Sequence, residues 1–179
     1  MLDFNLDDYR ENSGGYAGPM NGGYVLRIVR VENNPERENI MVELDIEGGG
    51  FDHYYSELQK EHGFWAFRLY QSYKPKARGF FKHFVNNVAK SNDGFKWTGD
   101  EKALEGMLVG GVCRIKEYVG NDGKVKSKLE VAETVPAADI ESGNFRKAKD
   151  KLLDESDIPE AVSAAGPEFR EIPDDDVPF

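Results

Sequence analysis

Apolar residues alternate with polar ones along two early stretches of the chain. Tyr24 to Glu32 is β-branched and roughly alternating, and Ile40 to Ile46 sets Ile40, Val42, Leu44 and Ile46 on one face against Met41, Glu43 and Asp45 on the other. Asn33-Asn34-Pro35 between them is turn chemistry, so the two runs predict a hairpin. After the break at Gly48-Gly49-Gly50, a third strand is expected over Phe64 to Tyr73. The period then changes: Phe80, Phe81, Phe84, Val85 and Val88 form one stripe at helical spacing within Gly79 to Lys90, and these phenylalanines read as core. Leu108 to Tyr118 and Val125 to Val135 predict two more strands around Gly120-Asn121-Asp122-Gly123, where the Asp-Gly pair is a strong hairpin signal. Phe145 to Leu153 predicts a short helix, and Pro159, Pro167, Pro173 and Pro178 predict an extended arm beyond it.

Three strands, one helix and two strands is the element order of the OB-fold, a small five-stranded Greek-key barrel, although other small mixed domains share it. The expected fold class is therefore mainly β, a β-barrel with one helix and a disordered acidic C-terminal tail. Three parts are expected: an acidic N-terminal segment (1–19), an OB-fold body (20–152) and a tail (153–179).

Charge separates the same parts. The formal net charge of −10 divides into −3 over residues 1–19, +1 over 20–152 and −8 over 153–179. The body is nearly neutral and the low isoelectric point belongs to the tail, so overall acidity does not exclude a polyanionic ligand. The mean hydropathy of −0.62 and the lack of a long apolar run argue against a membrane span. The start Met1-Leu2-Asp3-Phe4 lacks the features of a signal peptide. A single cysteine, Cys113, forms no internal disulfide and suggests a reducing compartment, most simply a bacterial cytoplasm.

From His62 to Asn92 there is no Asp or Glu, while Arg68, Lys74, Lys76, Arg78, Lys82 and Lys90 supply cations among eight aromatic side chains. Single-stranded nucleic acid offers phosphates and unpaired base faces, so rings mixed with cations hold it with little regard to sequence. Alternation on the third strand pairs Arg68 with Tyr70 on the face expected to bind, with Tyr73 joining at the strand end. Arg27 and Arg30 on the first strand, and Lys124, Lys126 and Lys128 alternating along the start of the fifth beside the Asp122-Gly123 turn, are further candidates. Alternating lysines there also fit the solvated side of an edge strand. Trp97 reads either as a stacking platform or as a lid over the barrel.

Catalytic readings find little support. His53, His62, His83 and Cys113 lack zinc-ligand spacing, and no phosphate-binding loop or nucleophile motif is present. Glu43, Asp45 and Glu47 read as a solvated strand face. No enzyme activity, metal or cofactor is expected.

The last residues, Asp174-Asp175-Asp176-Val177-Pro178-Phe179, suit capture by a basic pocket with a slot for the terminal ring. They resemble the acidic tip of bacterial single-stranded DNA-binding proteins, which usually reads Asp-Asp-Asp-Ile-Pro-Phe, with Val177 replacing the isoleucine. That resemblance implies a tip that recruits replication and repair enzymes to coated single strands. The arm departs from the family's Gly, Gln and Pro-rich linker. Gly79-Phe80-Phe81-Lys82-His83-Phe84, Gly94-Phe95-Lys96-Trp97 and Glu117 to Lys124 look like early-region proteins of phages and mobile elements. Together these imply a phage-type protein that coats single-stranded DNA in replication and recombination, of open oligomeric state. An adaptor using the same tip without binding DNA, or a strand-annealing mediator, are the alternatives.

Overall fold

The computed structural model describes residues 16–158; the tip expected at 174–179 lies outside them. Five strands, β1 (Gly22–Asn34), β2 (Asn39–Ile46), β3 (Arg68–Ser72), β4 (Leu108–Val119) and β5 (Val125–Val135), form one sheet. Three helices accompany it: α1 (Tyr54–His62), α2 (Arg78–Ser91) and α3 (Ala137–Glu141). All pairings are antiparallel and the order is β3-β2-β1-β4-β5. The protein is mainly β, and the sheet is open: β3 and β5 are its edges and no ladder joins them, so the expected closed barrel is not formed.

The early hairpin follows its alternation, with one correction to the period. Ile28 and Val31 are three apart and both fully buried, because Val29 is an extra residue that bulges out between Ile28 and Arg30. Glu43 and Asp45 were expected on a solvated face and are instead only 5% and 2% exposed. Asp45 is covered because α1, unforeseen from the sequence, packs there. His53 at the helix start sits in the left-handed region and gives no side-chain cap. The Asp45 carboxylate takes over that role, accepting the Tyr55 and Ser56 amides at 2.9 and 3.1 Å.

The third strand is shorter than expected because residues 64–67 leave the ladder. The Trp65 indole donates to the Leu44 carbonyl at 3.0 Å, and the Leu44 amide donates to the Phe67 carbonyl. The stripe on α2 buries Phe84, Val85 and Val88, and Phe81 packs half-buried against the core. Phe80, expected in that core, is 77% exposed. Asn92 closes the helix by bonding both the Val88 carbonyl and the backbone of Leu108, where β4 begins.

The helix expected over Phe145 to Leu153 is absent. This segment runs extended along the part of β4 that outreaches β1, whose pairing with β4 stops at Gly22 and Cys113. The Lys151 amide donates to the Ile115 carbonyl and the Glu117 amide to the Lys151 carbonyl, both at 2.8 Å. Strand backbone left without a neighbour requires such partners, and that demand overrides local helix preference. Among the described residues no helix is long and apolar enough to cross a membrane.

Candidate functional site

Because the sheet stays open, a groove of about 840 Å³ runs between the edges of β3 and β5. Its floor is Leu69, Leu129 and Val131 from the core sides of the two strands. One wall comes from α1 and the turn after it, with Tyr54, Tyr55, Leu58, Phe64 and Trp65, and is completed by Arg68 and Tyr70 on β3. The opposite wall is the long hairpin of β4 and β5, with Arg114, Tyr118, Lys126, Lys128 and Glu130, joined by Lys151 from the extended segment.

The hairpin wall is a consequence of register. Arg114 lies opposite Glu130, Lys116 opposite Lys128 and Tyr118 opposite Lys126, so one face of the hairpin carries cations with a ring among them. The Lys128 ammonium sits 5.5 Å from the centre of the Tyr118 ring. Burial, with Lys116 close by, holds that ammonium below the ordinary lysine range, partly offset by Glu130. Glu130 is ringed by Arg114 at 2.7 Å, Lys151 at 3.8 Å and Lys116 at 4.0 Å. Glu130, with Asp122 3.7 Å from Lys126, leaves this wall with more cations than carboxylates. Among the described residues the groove lining holds Arg68, Arg114, Lys126, Lys128 and Lys151 and the acid Glu130, with Glu43 pairing Arg68 and Asp122 beside Lys126, so cations remain in excess and its field favours anions.

On the other wall Arg68 is already engaged. Its guanidinium meets the buried Glu43 carboxylate at 3.1 Å, and Arg30 approaches the same carboxylate at 3.7 Å. Tyr55 packs on Phe67 with ring centres 4.6 Å apart, and burial pushes the phenols of Tyr55 and Tyr16 well above the usual tyrosine range. This wall is therefore fixed in place, with the charge of Arg68 met by Glu43.

The residues expected to bind together are divided by the fold. Arg68, Tyr70 and Lys126 meet in the groove. Tyr73 turns elsewhere: its hydroxyl donates to Asn33 at 2.9 Å and its ring packs edge-on against Phe81, which in turn packs against Trp97. Trp97 is half-buried against the core, in the manner of a lid. Arg27 is bound to Glu47 at 2.8 Å. Lys74, Lys76, Arg78 and Lys82 are exposed at the approach to α2 and along it, with Lys76 beside a second hollow, and Lys124 is exposed at the hairpin turn. Arg114, Tyr118 and Lys151 were not anticipated. Reading the register outward from Asp122-Gly123 identifies the first two, whereas Lys151 reaches the groove only through tertiary pairing.

Among the described residues no group of three or more His, Cys, Asp or Glu is arranged to hold a metal ion. No known family model matches the chain, and no curated protein matches it.

Proposed function

We propose that the protein binds single-stranded DNA without regard to sequence, coats and protects it, and recruits partner enzymes through Asp174 to Phe179. The observation that carries this reading is the groove between β3 and β5, where Tyr54, Phe64, Trp65, Tyr70 and Tyr118 share one cleft with Arg114, Lys126, Lys128 and Lys151. Rings accept unpaired bases of any kind at about 1–3 kcal/mol each, and the cations add a salt-dependent term. The strand order supports an OB-type reading of the body, because a Greek-key barrel of this type parted between β3 and β5 lays out as β3-β2-β1-β4-β5 with its helix between β3 and β4. The resemblance of the tip to that of bacterial single-stranded DNA-binding proteins supports the recruiting role, in a phage or mobile-element setting within a bacterial cytoplasm.

A second reading has its own observation. Arg68 is held by Glu43 and Tyr73 by Asn33, which removes part of the expected binding face and favours an adaptor whose body meets protein.

Titration of fluorescent dT oligonucleotides and a matched duplex at two salt concentrations separates the readings. Tight binding to the single strand that weakens with salt is expected. Replacing Lys126, Lys128 and Lys151 together by Ala should flatten the slope of log affinity against log salt by about 2, since each phosphate contact on a single strand contributes about 0.7. Absence of binding at low salt refutes the reading and leaves the adaptor.

A further inference from the structure

The space between β3 and β5 continues past the groove. Leu69 and Val131 border it on one side and, on the other, a second hollow of about 740 Å³ between the strand edges and α2. Gln71, Lys76, Phe80, His83 and Phe84 line this hollow. Phe84 is its buried base, and the His83 ring and the Asn87 amide are tied to the Thr134 carbonyl at 3.3 and 2.8 Å, so its walls are set before anything enters.

Phe80 stands at the rim as the most exposed large apolar side chain among the described residues, at 77%. A single exposed phenylalanine is common and means little alone. Its surroundings are more particular. Lys74, Lys76, Arg78 and Lys82 are all exposed within a few residues of it, and the whole stretch from His62 to Asn92 contains no carboxylate. Among the described residues, Glu133 is the one acid that borders the hollow. A flat ring in water, with Lys76 beside it in the same hollow and continuous with a cationic aromatic groove, suits a ligand that repeats a negative charge and a flat apolar face along its length.

We infer that Phe80 is a second stacking platform for the same DNA strand. That strand leaves the groove between Leu69 and Val131 and crosses onto the start of α2, where Lys76, which lines the same hollow as Phe80, meets its phosphates. This inference rests on the groove being the primary DNA site, and it makes affinity depend on oligonucleotide length. A strand that fills only the groove ignores Phe80, and a longer one uses it.

The test compares Phe80→Ala with the unaltered chain on a dT oligonucleotide of about five residues and one of about fifteen, near the ends of the ~4–16 nucleotides such a fold covers. The side chain is exposed, so the variant should fold normally, which a thermal melt verifies. The expected result is a loss of about tenfold or more on the long oligonucleotide and no change on the short one, in line with one stacked base. Phe80→Trp should in addition show more indole quenching than the unaltered chain with the long strand and no more than it with the short, where Trp65 in the groove supplies the signal common to both. Equal affinities of the variant and the unaltered chain for both lengths overturn the inference and leave the ring to a protein partner, while the groove reading stands. An equal loss on both lengths overturns it too, by placing Phe80 in the primary site. Failure of the unaltered chain to bind either length instead removes the groove reading itself.

Discussion

Replacing Asp45 by Ala removes the group that starts α1. One carboxylate oxygen accepts the amides of Ile46 and Tyr55 at 2.9 Å each, and the other accepts the Ser56 amide at 3.1 Å and the Ser56 hydroxyl. Tyr55 and Ser56 are the second and third residues of the helix, whose amides a local cap would normally satisfy, and His53 supplies none. Loss of a cap costs about 1–2 kcal/mol, and each amide left buried without a partner costs about 1–3 kcal/mol more. Water entering the vacated space recovers part of this, so the expected loss is about 3 kcal/mol, or roughly 10 °C in melting temperature for a domain of this size. Asp45→Asn keeps one acceptor oxygen and should lose about half as much. Urea and thermal unfolding followed by circular dichroism measure both variants. A loss below about 1 kcal/mol for Asp45→Ala would mean that α1 is held by burial of Tyr55 alone, and the capping argument would fail.

Gly110 seats α3 against the sheet: a Cβ there would stand 2.7 Å from the Val135 carbonyl oxygen and 2.8 Å from Ile140. Gly110→Val should therefore destabilise by about 2 kcal/mol or more and expose the segment after Pro136 to protease, and an unchanged melt and digestion pattern contradicts this. Alkaline pH should also weaken the fold. Burial raises the Cys113 thiol and the Tyr55 phenol above their ordinary values of 9.0 and 10.0, so the unfolded chain ionises first. Stability from these groups is complete below about pH 9 and falls as pH rises beyond it, by up to about 1.4 kcal/mol per pH unit for each group. Urea midpoints between about pH 8 and pH 10.5 measure the fall; Cys113→Ala should remove part of it, and a flat profile contradicts the buried placement.

Much of the fold was legible along the chain. Alternation located β1, β2, β4 and β5 to within two residues, because a strand half-buried in a sheet must repeat every second residue. Asp122-Gly123 set a turn, and with it the faces of Lys126 and Lys128. The phenylalanine stripe located α2 but not its outer limit: a stripe marks the buried side, and the space behind it ends before Phe80. Beside the short helix α3, also unexpected, two missed elements share one cause. Helix α1 depends on Asp45, a residue of a neighbouring strand, and the extended segment at Lys151 depends on unmatched backbone in β4; neither partner is local. The groove is likewise tertiary, since it faces Arg68 and Tyr70 on β3 toward Lys126 and Lys128 on β5. By itself the sequence determined which residues repeat, turn and carry charge, because those are properties of short stretches. Only the tertiary structure decided which of them share a cleft, because burial and the pairing of every backbone amide are satisfied across the whole chain at once.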